Sequence, residues 1–297
     1  MKLGLHMPVM TWDGGPQRMR ATLGEIAATA EAAGLDAIDV ADHVWQHPIM
    51  GGPVLPQLEA YTTLGFLAAR TERVRLMALA TAVSYRAPGL LAKIVTTLDV
   101  LSGGRAMLGL GAGDYEEEAE GLGLPFGPMK DRFDLLEDTL EICLRMWSGE
   151  HGDDQPFAGH QARMGRALNV PQAIARPHPP ILIAGTGEKR TLPLVARYAQ
   201  ACNLKPGPEI PRQLELLRRL CLEQGTDYDA IEKTAPFGFD VGERGEKVPE
   251  LLGQLRWLSS MGIETVLGWV VGVDRTTPLE VMGRDVIPAV AELQAAA

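Results

Sequence analysis

An apolar strand-like run, a turn and a helical stretch succeed one another eight times along this 297-residue chain, and that alternation narrows the fold more than any other feature. Strands are expected at Lys2–Pro8, Ala37–Asp42, Val74–Val83, Arg105–Gly111, Pro180–Gly185, Ala201–Leu204, Ala235–Val241 and Glu264–Val271. Helices are expected at about 17–34, 57–72, 87–102, 131–148, 188–200, 209–225, 246–262 and 278–296. Over 132–147, Phe133, Leu136, Leu140, Cys143, Leu144 and Trp147 recur at helical spacing and make one apolar face. The runs ILIAG, RLMALATAV and RAMLGLG are almost wholly apolar, as in parallel strands covered on both sides. Eight parallel βα units close most simply into an α/β fold of the (β/α)8 TIM-barrel type, with a doubly wound open sheet as the alternative.

One domain is expected over 1–297, interrupted between the fourth helix and the fifth strand by a polar, Pro/Gly-rich insertion at about 149–179. The insertion carries Arg163, Arg166, Arg176, His160 and His178, and reads as a solvated excursion or as a lid. A net charge of −10 without a dense Lys/Arg cluster argues against nucleic acid as a partner. No apolar run is long enough to span a membrane, and the first residues do not read as a signal peptide. Cys143, Cys202 and Cys221 are widely spaced, consistent with reduced thiols in a cytoplasmic protein. No metal-ligand spacing is apparent, because Pro48 argues against a helix that would align His43 with His47.

In such a barrel the chemistry sits at the C-terminal ends of the strands. His6 ends the first strand and leads to Trp12; Asp42 and His43 end the second, followed by Trp45 and His47. Tyr85 follows the third, Gly111, Gly113 and Asp114 the fourth, Gly185, Thr186 and Gly187 the fifth, and Trp269 lies near the end of the eighth. A histidine at a strand end can exchange a proton near neutral pH, although Asp42 beside it could equally satisfy His43 as a structural pair. GTGEKR is neither a dinucleotide fingerprint, since its third glycine is missing, nor a P-loop, since no GK[ST] closes it. What remains is a glycine turn entering a helix, either an anion seat or a tight turn and no more. The carboxylates of 114–120 crowd one short helical turn, and only one or two are expected to meet a ligand.

Taken together, DAIDVADHV, LATAV, GGRAMLGLGAGDYEEEAEGLGLPF with RFDLLEDTLEI, and PPILIAGTGEKRTLPLVARYAQACN resemble the bacterial luciferase-like oxidoreductases, and within them the branch dependent on the deazaflavin coenzyme F420. The resemblance runs nearly end to end and implies a barrel with insertions, usually a homodimer. It implies a non-prolyl cis peptide at Ala82–Val83 against the cofactor ring, with His43 beside that ring. Gly111, Gly113, Asp114 and Glu117 would lie along the cofactor. Its phosphate would rest on the backbone of Gly185–Glu188, and the basic insertion could meet the anionic tail of F420. Many relatives carry tryptophan at the position of Asp114 and histidine at that of Ala119, so a relative's substrate does not transfer.

The implied activity is hydride transfer between F420 and a small organic substrate at a C=C, C=N or C=O bond. His43 and Asp42 are the catalytic candidates, and His6, Trp12, Trp45, Tyr85 and Trp269 the candidate pocket walls. A monooxygenase using reduced FMN and a non-catalytic flavin-binding barrel are the alternatives. A barrel aldolase or isomerase lacks a Schiff-base lysine at a strand end: Lys93 and Lys130 lie elsewhere, and only Lys205 is borderline.

Overall fold

A computed structural model describes residues 1–293. Its strands in chain order are β1 (Lys2–Met7), β2 (Ala37–Val40), β3 (Arg75–Ala78), β4 (Thr81–Ala82) and β5 (Leu108–Gly111). They continue with β6 (Phe157–Ala158), β7 (Arg163–Met164), β8 (Ile181–Ala184), β9 (Ala201–Asn203), β10 (Glu232–Phe239) and β11 (Thr265–Val270). All but β6 and β7 join one parallel sheet in the order β3-β2-β1-β11-β10-β9-β8-β5-β4. The two ends of that order are halves of the same expected third strand, and a parallel bridge from Leu76 to Ala106 closes the circle. The fold is therefore the expected barrel, not an open sheet.

The third strand is not continuous as expected. β3 pairs with β2, β4 pairs with β5, and between them the Leu79–Ala80 peptide is cis. The cis bond expected at Ala82–Val83 thus lies three residues earlier. Gly109 is placed by the same close approach, since a Cβ there would sit 2.0 Å from the Ala78 carbonyl oxygen. Gly109→Ala is expected to destabilise the protein by at least ~1–3 kcal/mol, because the obstacle is backbone rather than a mobile side chain. Chemical denaturation of the purified variant checks this.

The alternation of each strand separates two apolar regions. Leu3, Leu5, Ile38, Val40, Leu76, Leu108, Leu110, Ile183 and Val266 face the surrounding helices and belong to the main core. Ala37, Met77, Met107, Leu182, Ala201 and Leu267 face inward and plug the barrel. At the N-terminal end of the strands, Arg75 donates to Asp36 (Nε–Oδ2 2.8 Å) and to Glu232 across the barrel (Nη1–Oε2 2.8 Å). Glu232 also accepts from Thr265, and Lys2 stands 3.6 Å from Asp36.

The helices are α1 (Pro16–Ala33), α2 (Ala60–Ala68), α3 (Pro88–Ser102), α4 (Glu116–Gly121), α5 (Met129–Met146), α6 (Thr191–Tyr198), α7 (Ile210–Gln224) and α8 (Val248–Ser260). The last expected helix is broken into α9 (Thr277–Val281), a π turn (Met282–Val286) and α10 (Ile287–Ala291). Pro288 accounts for part of this, since it has no N–H to donate. The expected helical residues beyond 293 lie outside the described residues.

The insertion is held along α3 and α5. Asp138 of α5 accepts from the backbone N–H of His160, Gln161 and Ala162 at 3.1, 2.6 and 2.8 Å. Asp99 of α3 accepts from Ile174 and Ala175 at 2.6 and 2.9 Å. β6 and β7 form a short antiparallel hairpin in a segment whose sequence shows no periodicity. Arg166 pairs with Asp154, and Arg176 donates to backbone carbonyls of 173–175, so two of the three arginines expected to meet an anionic tail are engaged within the insertion.

Candidate active site

At the C-terminal mouth of the barrel, one carboxylate organises the end of β2. Glu118, in the first turn of α4, is fully buried. Its Oε2 accepts from His43 Nδ1 at 2.7 Å and from the Tyr85 hydroxyl. Its Oε1 accepts from the backbone N–H of Val44 at 2.5 Å and of Trp45 at 2.7 Å. The bond to Glu118 places the Nδ1 proton of His43 and leaves Nε2 as its reactive nitrogen.

Burial pulls the pKa of His43 down, but the Glu118 hydrogen bond and charge, with Asp114 and Asp42 further off, outweigh it and hold the imidazole above its ordinary value. Burial likewise pushes Glu118 up, and its bonds from His43, Tyr85 and Trp45 bring it below the usual carboxylate range. Burial and the neighbouring Glu118 both push the Tyr85 phenol upward. The ring of His47 lies 5.3 Å from that of His43, and Tyr115 packs edge-on at 5.9 Å from His43.

Asp42 does not hold His43. Its two oxygens accept from Arg86 at 2.5 and 3.0 Å, and Arg86 reaches on to Glu59 at 2.6 Å while lying over the Tyr61 ring. Asp42 therefore fixes the loop after β4. The residue that does position His43, Glu118, is a neighbour of the expected Glu117, which is exposed on the same helix, as is Asp114 just before it. Nothing in EEEAE separates the four glutamates; the choice is made by which one α4 turns toward the β2 end.

The wall made by the ends of β4 and β5 is flat. A Cβ on Gly113 would lie 3.1 Å from the Ala82 Cβ, and one on Gly111 3.8 Å from that of Ala80. The N–H of Val83 donates to the Gly111 carbonyl at 3.0 Å, joining the two strand ends. Arg132 ties down the turn that follows, donating to the carbonyls of Ala112 (3.1 Å) and Gly127 (2.6 Å) over the Phe126 ring. Ala82, Val83, Gly111 and Gly113 thus lie together at the ends of β4 and β5.

The GTGEKR turn follows β8, with Gly185 at φ 124°. α6 begins at Thr191, three residues later than expected, and no side chain caps it. Glu188 pairs with Arg212 of α7, and Arg190 with Asp134, so both side chains turn to neighbouring helices. The Lys130 and Arg190 bonds hold Asp134 at about 2.

Trp45 stands against Gly121, whose Cβ would collide with it at 2.1 Å. Trp269 covers Gly238 in the same way at 3.1 Å, and walls a cavity of about 640 Å³ with Lys205, Pro206, Phe237 and Lys247. Trp12 is half-buried against the main core. His6 bonds to Asp39, a residue that sequence reasoning passed over. Burial pushes Asp39 up, while the His6 ring opposes the shift. Ser84 Oγ, Tyr115 Oη and Asp39 Oδ2 are buried without partners among the described residues. The cysteines are all buried, and burial raises Cys202 to about 12, which leaves it inert as a nucleophile. No metal-binding group of side chains is found among the described residues, and no helix there is long and apolar enough to cross a membrane.

The chain is 34% identical over 183 residues to an F420-dependent glucose-6-phosphate dehydrogenase of Nocardia farcinica, a match covering 60% of this chain and 49% of that protein. It thus spans about half the length of that relative. Among solved structures, an F420-dependent secondary alcohol dehydrogenase bound to an F420–acetone adduct superposes with a TM-score of 0.80 at 15% identity, covering 97% of this chain and 98% of the other. A monooxygenase of Streptomyces bottropensis superposes with a TM-score of 0.76 at 20% identity, covering 97% and 99%. These two show the shared fold. The profile of the luciferase-like monooxygenase family matches residues 1–278, and the chain belongs to that family.

Proposed function

We propose that this luciferase-like oxidoreductase uses F420 to reduce or oxidise a small organic substrate. The observation that carries the reading is His43, held by Glu118 at the same mouth as a flat wall of Ala82, Gly111 and Gly113. The residues fit such a group: the wall is smooth enough for a planar ring, and the buried hydroxyls of Ser84 and Tyr115 have no partner among the described residues. Ala80–Val83 and Gly111–Gly113 would hold the ring, and the backbone of Gly185–Glu188 before the uncapped α6 would hold the phosphate. Bound F420 would supply the hydride when the substrate is reduced and accept it when the substrate is oxidised. The chain orients the reactants and excludes water, and His43 Nε2 delivers or receives the proton at the substrate heteroatom.

Titration of the purified protein with F420 and with FMN, followed by cofactor fluorescence, tests the assignment. F420 is expected to bind more tightly; binding of FMN alone would replace the reading with an oxygen-using one. In His43→Ala, F420 affinity is expected to stay within about threefold. Turnover should fall ~100- to 10,000-fold on whichever of glucose 6-phosphate, 2-propanol or a conjugated enone the parent converts. Equal turnover would reduce His43 to packing.

A further inference from the structure

β1 and β2 pair in register so that His6 stands beside Asp39, both facing into the barrel just above its apolar plug. Asp39 is completely buried, whereas the His6 side chain is 12% exposed. His6 Nδ1 bonds to Asp39 Oδ1, and among the described residues nothing bonds to His6 Nε2 or to Asp39 Oδ2. Met77, the register partner of Asp39 on β3, is apolar, as are Leu79 and Ala184, which are partly open to the mouth; Asn203, in register with Ala184, turns its amide to Thr234 at 2.8 Å. A carboxylate sunk into such surroundings on a single hydrogen bond is costly, and an apolar side chain would fill the space more stably. Packing therefore does not explain it.

We propose that Asp39 is a positioning residue that fixes His6 as the Nδ1–H tautomer, so that His6 Nε2 accepts a hydrogen bond from a substrate hydroxyl reaching the floor of the mouth. The inference rests on the reading of the mouth as the reaction chamber, and not on which cofactor occupies it. The two histidines are then complementary. His43, whose Nδ1 is taken up by Glu118, exchanges a proton through Nε2, while His6 accepts a hydrogen bond. A substrate with a hydroxyl on its leading end satisfies His6; one presenting only a carbonyl leaves the imidazole nitrogen unpaired.

The full chain, labelled with ¹⁵N in its histidine rings and free of cofactor, tests this at pH 8 by NMR. His6→Gln identifies the His6 resonances by their loss. The neutral His6 ring is expected to carry its proton on Nδ1, and cyclohexanol at tens of millimolar is expected to shift its Nε2 signal. Cyclohexanone, of nearly the same size but lacking the donor, should bind His6 at least ~5-fold more weakly. Asp39→Asn, nearly isosteric, offers an amide donor to Nδ1, moves the ring proton to Nε2, and should invert the preference toward the ketone. A parent His6 protonated on Nε2 would overturn the proposal. So would equal shifts from the two probes, or no shift from either. The tautomer and probe measurements need no cofactor, so failure of F420 binding and failure of this proposal are read separately.

Discussion

Replacing Glu118 with alanine is expected to lower the melting temperature by roughly 6–15 °C, the largest stability effect of any single change at the mouth. The variant would leave His43 Nδ1, the Tyr85 hydroxyl and the N–H groups of Val44 and Trp45 without their shared acceptor. Breaking a buried ion pair on one side costs about 3–5 kcal/mol, because the remaining groups are stranded. Glu118→Gln separates charge from shape. It keeps an oxygen for the two backbone donors but removes the charge that raises His43, so the His43 pKa should fall.

The signs of the two shifts define when the pair matters. His43 is raised above 6.5 in the folded protein, so its contribution is complete below that value and is lost as pH rises through the folded pKa. Glu118 is lowered below 4.5, so its contribution is complete above that value and is lost as pH falls through the folded pKa. The stability gap between the parent and Glu118→Gln should therefore be widest between about pH 4.5 and 6.5 and narrow on either side. NMR titration of His43 with melting curves across that range measures both, and an unmoved His43 pKa would remove Glu118 from its role.

Gly187→Asp is expected to weaken binding of F420 by ~100- to 1,000-fold while leaving the melting temperature within a few degrees. A carboxylate about 4 Å from a bound phosphate costs about 4 kcal/mol at the effective dielectric of a protein surface. The nearest atoms to the new Cβ would all belong to Thr191, its hydroxyl at 2.9 Å, and an acidic group before an uncapped helix suits its dipole. The fold should survive for that reason. FMN would suffer the same penalty, so the variant tests the phosphate seat and not the choice of cofactor. Unchanged affinity for the cofactor that the parent binds would move the phosphate elsewhere.

The barrel was legible because its periodicity is local: apolar runs such as ILIAG and one-faced helices such as 132–147 declare themselves within a dozen residues. His43 was legible for the same reason, as a histidine at the end of an apolar run. What stayed hidden depends on partners far along the chain. RLMALATAV reads as one strand, yet it divides where the backbone passes from β2 to β5. Asp99 and Asp138 look like solvated helix residues, but each is buried under backbone N–H groups of the insertion. Glu118 and Asp39 escaped similarly, since a carboxylate's importance here is set by what lies 75 or 33 residues upstream of it.

The ion cluster of Arg75, Asp36 and Glu232 lies at the end of the strands remote from His43, with the apolar plug between. Integrity and chemistry are therefore written on opposite ends of one tube. Loops at the mouth can be exchanged or redesigned for new substrates while the far end, untouched, keeps the tube shut.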